Sequence, residues 1–178
     1  MPKRPSPKRK SQANDDSPTQ IILVRHAHRD NSILERDNGL TKKGREQAKA
    51  LARLLMRIEK GNDLKLLTSP KRRCLETMAP FARKTKLSLE TDDSLLEQMS
   101  NETDTQFQER IRGIAQNWIR DRGPYNLIIC SHGDLLPLLA QELTGAKIEI
   151  QKGAAAWIVK TSDGCKLSRL VRPSEILE

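Results

Sequence analysis

Three short, nearly continuous apolar runs, IILVR at 21–25, LKLLT at 64–68 and NLIIC at 126–130, constrain the fold of this chain more than any other feature. Continuous apolar character, without polar alternation, marks strands covered on both faces, the form taken in parallel sheets. Between these runs the apolar period changes to that of helices. Ala48, Leu51, Ala52, Leu55 and Ile58 fall on one face of a segment that Thr41 can cap and Gly61-Asn62 can stop. Phe107, Ile111, Ile114, Ala115 and Trp118 repeat the spacing ahead of the breaker DRGPYN, and Leu135, Leu136, Leu138, Leu139 and Leu143 form a further helix ending near Gly145. AAAWIVK and KLSRLVR, separated by TSDG, read as a closing pair of strands. Strands alternating with helices predict an α/β fold: a single domain of three layers, α/β/α, with a mostly parallel central sheet and right-handed crossovers.

A chain of 178 residues that is 36% hydrophobic has material for one real core and hardly for two. The domain is expected over residues 20–178. Residues 1–19, MPKRPSPKRKSQANDDSPT, contain no apolar side chain larger than proline after Met1 and cannot bury enough surface to offset the entropy of ordering. They are expected to form a disordered basic tail. Lys3, Arg4, Lys8, Arg9 and Lys10 carry five of the nine excess positive charges, which leaves +4 for the remainder. Such a block can touch nucleic acid or an acidic surface, although a solvated extension without a partner is the plainer expectation. The tail lacks the apolar core of a secretory signal, and no later segment has the apolar length of a membrane span. Cys74, Cys130 and Cys165 are odd in number and widely spaced, which suits neither a disulfide framework nor a cysteine metal site. A cytoplasmic setting is expected, with Cys130 as a small buried hydrophobe.

Each of the three apolar runs is followed at once by polar residues able to do chemistry: Arg25-His26, then Ser69-Pro70 leading to Arg73, then Ser131-His132-Gly133-Asp134. In open α/β sheets ligands bind outside the carboxyl ends of the strands, so these segments should converge in one crevice. Helix N-termini there would add backbone N–H groups for an anion. Two guanidinium forks and two imidazoles suit a phosphoryl group, whose oxygens carry charge that arginine can hold bidentately. A metal site is the rival reading, since His26-x-His28-x-Asp30 has the beginning of a metallo-hydrolase pattern. It runs short of ligands, because His132 is the only other histidine, and it leaves Arg25 and Arg73 without a task. With aromatic residues at 3%, a stacking platform for single-stranded nucleic acid is not expected either.

These segments resemble the histidine phosphatase superfamily, the phosphoglycerate-mutase-like group whose nucleophile is the histidine of an R-H-G signature. Here the signature is Arg25-His26-Ala27, with alanine in place of the more frequent glycine. NGLTKKGREQA is similar to the L-T-x-x-G-x-x-Q-A stretch through Leu40, Thr41, Gly44, Gln47 and Ala48. TSPKRRCLET is similar to S-P-x-x-R-(A/C)-x-(Q/E)-T through Ser69, Pro70, Arg73, Cys74, Glu76 and Thr77, and CSHGD to the S-H-G that bears a second histidine. The four matches occur in the family's order between residues 21 and 139.

The resemblance implies a metal-independent phosphatase without a cofactor. His26 would attack phosphorus and become a phosphohistidine, while Arg25, Arg73 and His132 hold the phosphoryl oxygens. Neighbouring guanidiniums would keep an attacking imidazole neutral by like-charge repulsion. In the family a glutamate in an L-x-E segment commonly protonates the leaving oxygen; DSLLEQM puts Glu97 in that place, with Asp134 as competitor. His28 is expected either at the substrate rim or as a surface residue, and Arg29 as a solvated charge. Water, not a second substrate hydroxyl, is expected to receive the phosphoryl group, so hydrolysis is favoured over mutase chemistry. The expected substrate is a phosphorylated small molecule or phosphoprotein. A protein that only binds phosphate or nucleic acid is the remaining alternative.

Overall fold

The computed structural model describes residues 18–33, 36–58, 63–121 and 123–177. The expected basic tail lies outside the described residues as far as residue 17, as does the expected helix stop at Gly61-Asn62. In chain order the elements are β1 (Thr19–Arg25), α1 (Lys42–Leu55), β2 (Asp63–Thr68), α2 (Arg72–Thr85), β3 (Leu89–Thr91), a 3-10 turn (Asp93–Leu95), α3 (Asp104–Arg120), β4 (Tyr125–Ser131), α4 (Leu135–Thr144), β5 (Ala155–Thr161), β6 (Gly164–Val171) and α5 (Pro173–Leu177). The six strands make one sheet in the order β3-β2-β4-β1-β5-β6. β1, β2, β3 and β4 pair in parallel, and β5 and β6 are antiparallel additions to one edge.

Helices cover both faces, and strand alternation shows how. Ile21 and Leu23 of β1, with Leu127 and Ile129 of β4, enter the core formed with Phe107, Ile111 and Ile114 of α3 and Leu135, Leu136, Leu139 and Leu143 of α4. Ile22 and Val24, with Ile128 and Cys130, face the other way, onto Leu51 and Leu55 of α1 and Cys74, Met78 and Phe81 of α2. Both faces of β1 and β4 are therefore buried, which accounts for their continuous apolar sequence. The expected single three-layer α/β/α domain with a mostly parallel sheet is the architecture found.

Local chemistry places the helix starts. Thr41 caps α1 by accepting from Gly44 N, and Thr103 forms a reciprocal capping box with Gln106 at the head of α3. Asp134 caps α4, which ends at Gly145 with φ 74°, a left-handed conformation that glycine adopts without strain. α1 ends at Leu55, so Ile58 lies beyond the helix although it still packs on the core. α2 begins at Arg72. β3 and α5 are too short to carry a periodic signal and were not expected.

Gly44 explains one of the sequence matches. A β-carbon there would sit 2.1 Å from the carbonyl oxygen of His28, a backbone atom that also accepts from Thr41 N and Thr41 Oγ1. The start of α1 thus packs directly against the segment that follows β1. Gly44→Ala should destabilise the fold by about 1–3 kcal/mol through this overpacking, measured as a lower urea midpoint at unchanged slope; an unaltered midpoint would show that the contact is not needed.

Candidate active site

β2, β4 and β1 are neighbours in the sheet and run in parallel, so their carboxyl ends form one edge. Pairing carries on past the strand ends, with His26 N donating to Ser131 O at 3.1 Å and Ser69 N to Cys130 O at 2.9 Å. Arg25, His26, Ser69 and His132 are brought together in this way across more than a hundred residues of sequence. Arg73 joins them from the first turn of α2, and Glu97 from the loop after the 3-10 turn. The four groups expected to enclose a phosphoryl group, Arg25, His26, Arg73 and His132, do converge, and Glu97 is beside them.

His26 is 5% exposed and its Nδ1 lies 2.8 Å from the carbonyl oxygen of Ala27. A carbonyl only accepts, so Nδ1 carries the proton and the lone pair is left on Nε2. Burial pulls its pKa from 6.5 to about 4; the Ala27 carbonyl opposes this, while Arg73, Arg25 and Lys152 add to it. The ring is thus neutral near pH 7. His132 lies with its centroid 5.5 Å from that of His26, the two planes 60° apart. Its Nδ1 accepts from an Arg73 terminal nitrogen at 3.1 Å, since a guanidinium can only donate, and its Nε2 donates to Ser69 Oγ at 2.8 Å. Burial, then Arg73 and His26, hold the pKa of His132 down at about 2.

Arg73 is 3% exposed. The same terminal nitrogen that serves His132 donates to Glu97 Oε2 at 2.6 Å, and the other is 3.6 Å from Asp37 Oδ1. Arg25 donates to Ile150 O at 2.9 Å, and its guanidinium lies where a β-carbon on residue 133 would intrude to 2.3 Å. The glycine of the S-H-G match is therefore required for this arginine to pack. Among the described residues, the buried side-chain donors without a partner are the Nε groups of Arg25 and Arg73. Such orphaned donors are rare in proteins, and here both belong to guanidiniums beside the two histidines, as suits a site for an anionic acceptor.

Other residues of the sequence matches hold this frame. Thr77 Oγ1 accepts from Ala27 N at 2.9 Å and donates to Arg73 O at 2.7 Å, joining the segment after β1 to α2. Gln47 Oε1 accepts from His28 N, and Glu76 accepts from Leu40 N. Ala27, the departure from R-H-G, is fully buried against Leu40 and Ala48, so its methyl group fills core space. Asp134 uses one carboxylate oxygen on Leu135 N and the other on Gln98 N at 2.8 Å. It is engaged by backbone donors on both sides, and it fixes the residue next to Glu97. His28 turns to Thr41 Oγ1, and the Asp30 carboxylate accepts from Ser32 N. His26, His28 and Asp30 each face a different partner and form no shared ligand set.

The crevice has a volume of about 280 Å³ and is lined by Arg25, His26, Arg29, Glu97, His132, Gly133, Asp134 and Lys152. Lys152 was missed in the sequence. It precedes β5, and an antiparallel strand that pairs with β1 begins at the edge where β1 ends; pairing AAAWIVK with IILVR would have put Lys152 at the site. Arg29, expected to be solvated, is half-buried in the crevice wall.

Residues 21–102, just under half of the chain, match the family model of the Histidine phosphatase superfamily (branch 1). Over this stretch, which holds Arg25-His26, Leu40 to Ala48 and Ser69 to Thr77, the chain is similar to that superfamily. No curated protein matches it. The fold is that of the alpha-ribazole phosphatase from Shigella flexneri (TM-score 0.75, 19% identity, 87% of this chain and 97% of that one). It is also that of a putative alpha-ribazole-5'-P phosphatase from Escherichia coli (TM-score 0.73, 20% identity, 87% and 98%). A phosphoserine phosphatase mutant from Entamoeba histolytica, in complex with phosphoserine, shares it as well (TM-score 0.71, 12% identity, 88% and 98%).

The depressed histidines have a consequence for stability. Between pH 6.5 and about 4 the unfolded chain takes up a proton at His26 that the folded chain does not, and for His132 the range extends to about 2. Stability contributed by the neutral rings is present above pH 6.5 and is lost as the pH falls below it. The thermal midpoint should therefore drop between pH 7 and pH 5, and drop less steeply in a His26→Asn, His132→Asn double variant; equal slopes would remove the histidines as the source.

Proposed function

We propose that this chain is a metal-independent phosphatase that hydrolyses a phosphomonoester or a phosphohistidine through a covalent phosphohistidine on His26. The observation that carries the reading is the tautomer of His26. Its proton is tied to Ala27 O, which leaves the Nε2 lone pair as nucleophile between two arginines with unpartnered N–H groups. In the first step Glu97, having taken up a proton from solvent at its exposed carboxylate, delivers it to the leaving oxygen as Nε2 attacks phosphorus and the bond to that oxygen breaks. In the second step Glu97 takes a proton from water as the water oxygen attacks phosphorus, the P–N bond breaks, and inorganic phosphate leaves with His26 neutral again.

The geometry supports these roles. Arg25 and Arg73 supply donors to the equatorial oxygens, where charge develops as the phosphoryl group transfers. His132, held by Ser69 and Arg73, borders the same group. Glu97 is 40% exposed while its Oε2 touches Arg73 and lies 3.7 Å from His132 Nδ1, so it reaches both the pocket and solvent water. That access favours hydrolysis over return of the phosphoryl group to a second substrate oxygen. Glu97 is favoured over Asp134 as the acid because both Asp134 oxygens are occupied by backbone donors. Cys74, Cys130 and Cys165 are free thiols, which suits a cytoplasmic protein, and among the described residues no helix is long and apolar enough to cross a membrane.

With p-nitrophenyl phosphate as substrate, His26→Ala should abolish turnover, and acid-labile phosphate should be trapped on the parent protein and not on the variant; turnover by the variant would overturn the assignment. Glu97→Gln should lower kcat about a hundredfold or more, and Asp134→Asn far less. The reverse order would exchange their roles.

A further inference from the structure

The phosphoryl pocket accounts for Arg25 and Arg73, but the crevice contains two more cations. Arg29 and Lys152 line it together with Arg25, and neither forms an ion pair with any carboxylate among the described residues. Arg29 is held through Nε by Asn31 Oδ1 at 2.6 Å, a neutral partner that orients the guanidinium without offsetting its charge.

The backbone shows that the position of Lys152 is set by the fold. Gly153 N, one residue on, is 3.1 Å from both the Arg25 and the His26 carbonyl oxygens. Ala154 O accepts from Arg25 N at 3.1 Å, and Ile150 O accepts from the Arg25 guanidinium at 2.9 Å. The segment 150–154 is thereby fastened to the end of β1 on either side of Lys152. Gly153 has φ 78°, and a β-carbon there would press on the Gln47 amide at 3.2 Å, so the turn that presents Lys152 is one that glycine alone fits without strain. Burial, then Arg25, Arg29 and Arg73, depress the ammonium of Lys152, so it stands in a field of like charge. A transferred phosphoryl dianion is met by Arg25 and Arg73. Glu97 and Asp134 line the same crevice, but Glu97 is paired with Arg73 and Asp134 accepts from two backbone N–H groups, so a second negative group bound beside the phosphoryl group would be the partner that Arg29 and Lys152 lack.

We propose that Lys152 and Arg29 form a second anion subsite beside the phosphoryl pocket, and that the substrate carries a further carboxylate or phosphate close to the group that is transferred. This rests on the phosphatase reading above and narrows its substrate class. Arg29 supplies a planar fork and Lys152 a point charge, a pair that takes either anion.

The test uses ligands that bind without being hydrolysed. Propylphosphonate, 3-phosphonopropionate and propane-1,3-bisphosphonate share a three-carbon chain and carry one anionic group, a second carboxylate and a second phosphonate in turn. Titration calorimetry on the full chain should show both double anions binding at least about tenfold more tightly than propylphosphonate, the worth of one charge-assisted contact. Whichever of the two binds more tightly identifies the second group. Lys152→Met should reduce that preference to near unity, and Arg29→Met should reduce it independently, so the inference does not depend on one variant folding. Equal binding of the three ligands by the parent would overturn the subsite. So would a preference that survives both substitutions, or a Lys152→Met variant that weakens all three ligands alike, which would make Lys152 a contact of the transferred group. Turnover of p-nitrophenyl phosphate by the parent is read separately. Its absence together with an intact preference would refute the phosphatase reading and support the subsite, and its presence without any preference would do the opposite.

Discussion

The parallel pairing of β1 with β4, with Arg25 opposite Ser131, is the constraint on which the rest of this molecule depends. It places His26 next to His132, and it also sends Leu23 and Ile129 to one core and Val24 and Cys130 to the other. Because side chains alternate along a strand, a slip of one residue would turn all of these to the wrong layer while moving the two histidines apart. Burial on both faces holds the register, at about 25 cal/mol for each Å² of apolar surface removed from water. The same hydrophobic pattern that stabilises the sheet thereby sets the spacing of the two histidines at its edge.

Burial has a second effect at that edge. Desolvation keeps both imidazoles uncharged, whereas guanidinium side chains stay protonated in proteins. One environment thus holds unprotonated imidazoles within a positive field, two conditions that conflict in open solution. Arg73 has carboxylates on both of its terminal nitrogens, from Glu97 and from Asp37. Its charge is balanced on the outer side while its Nε stays unpartnered. A preorganised donor of this kind needs little rearrangement when an oxyanion arrives.

Much of this was legible in sequence, for identifiable reasons. β1, β2 and β4 announce themselves because a strand covered on both faces must be apolar at nearly every position. The long helices do so because α1, α3 and α4 keep a regular apolar face and begin at Thr41, Thr103 and Asp134, which cap them. His26, His132, Arg25 and Arg73 could be found because each lies at or soon after such a strand, inside a longer match, whereas Glu97 was placed by the L-x-E resemblance alone. β3 was hidden by its three-residue length. Lys152 and Asp37 were hidden because neither follows a parallel strand. Asp37 reaches Arg73 from a loop across 36 residues of sequence, a contact that no periodicity encodes. Arg29 was assigned to solvent on the strength of the many basic residues in the chain, and abundance carries no information about where one particular side chain is placed.

The fastening of segment 150–154 onto the end of β1 also bears on how the molecule is made. A polypeptide leaving the ribosome holds Arg25 and His26 among the first residues of the domain, yet the carbonyl that anchors Arg25 and the glycine that locks the strand end arrive more than a hundred residues later. Contacts so distant in sequence close late, because the loop entropy between them is lost before they are gained. Growing and truncated chains therefore carry His26 without its finished surroundings, and the crevice is assembled only when synthesis of the domain is nearly complete.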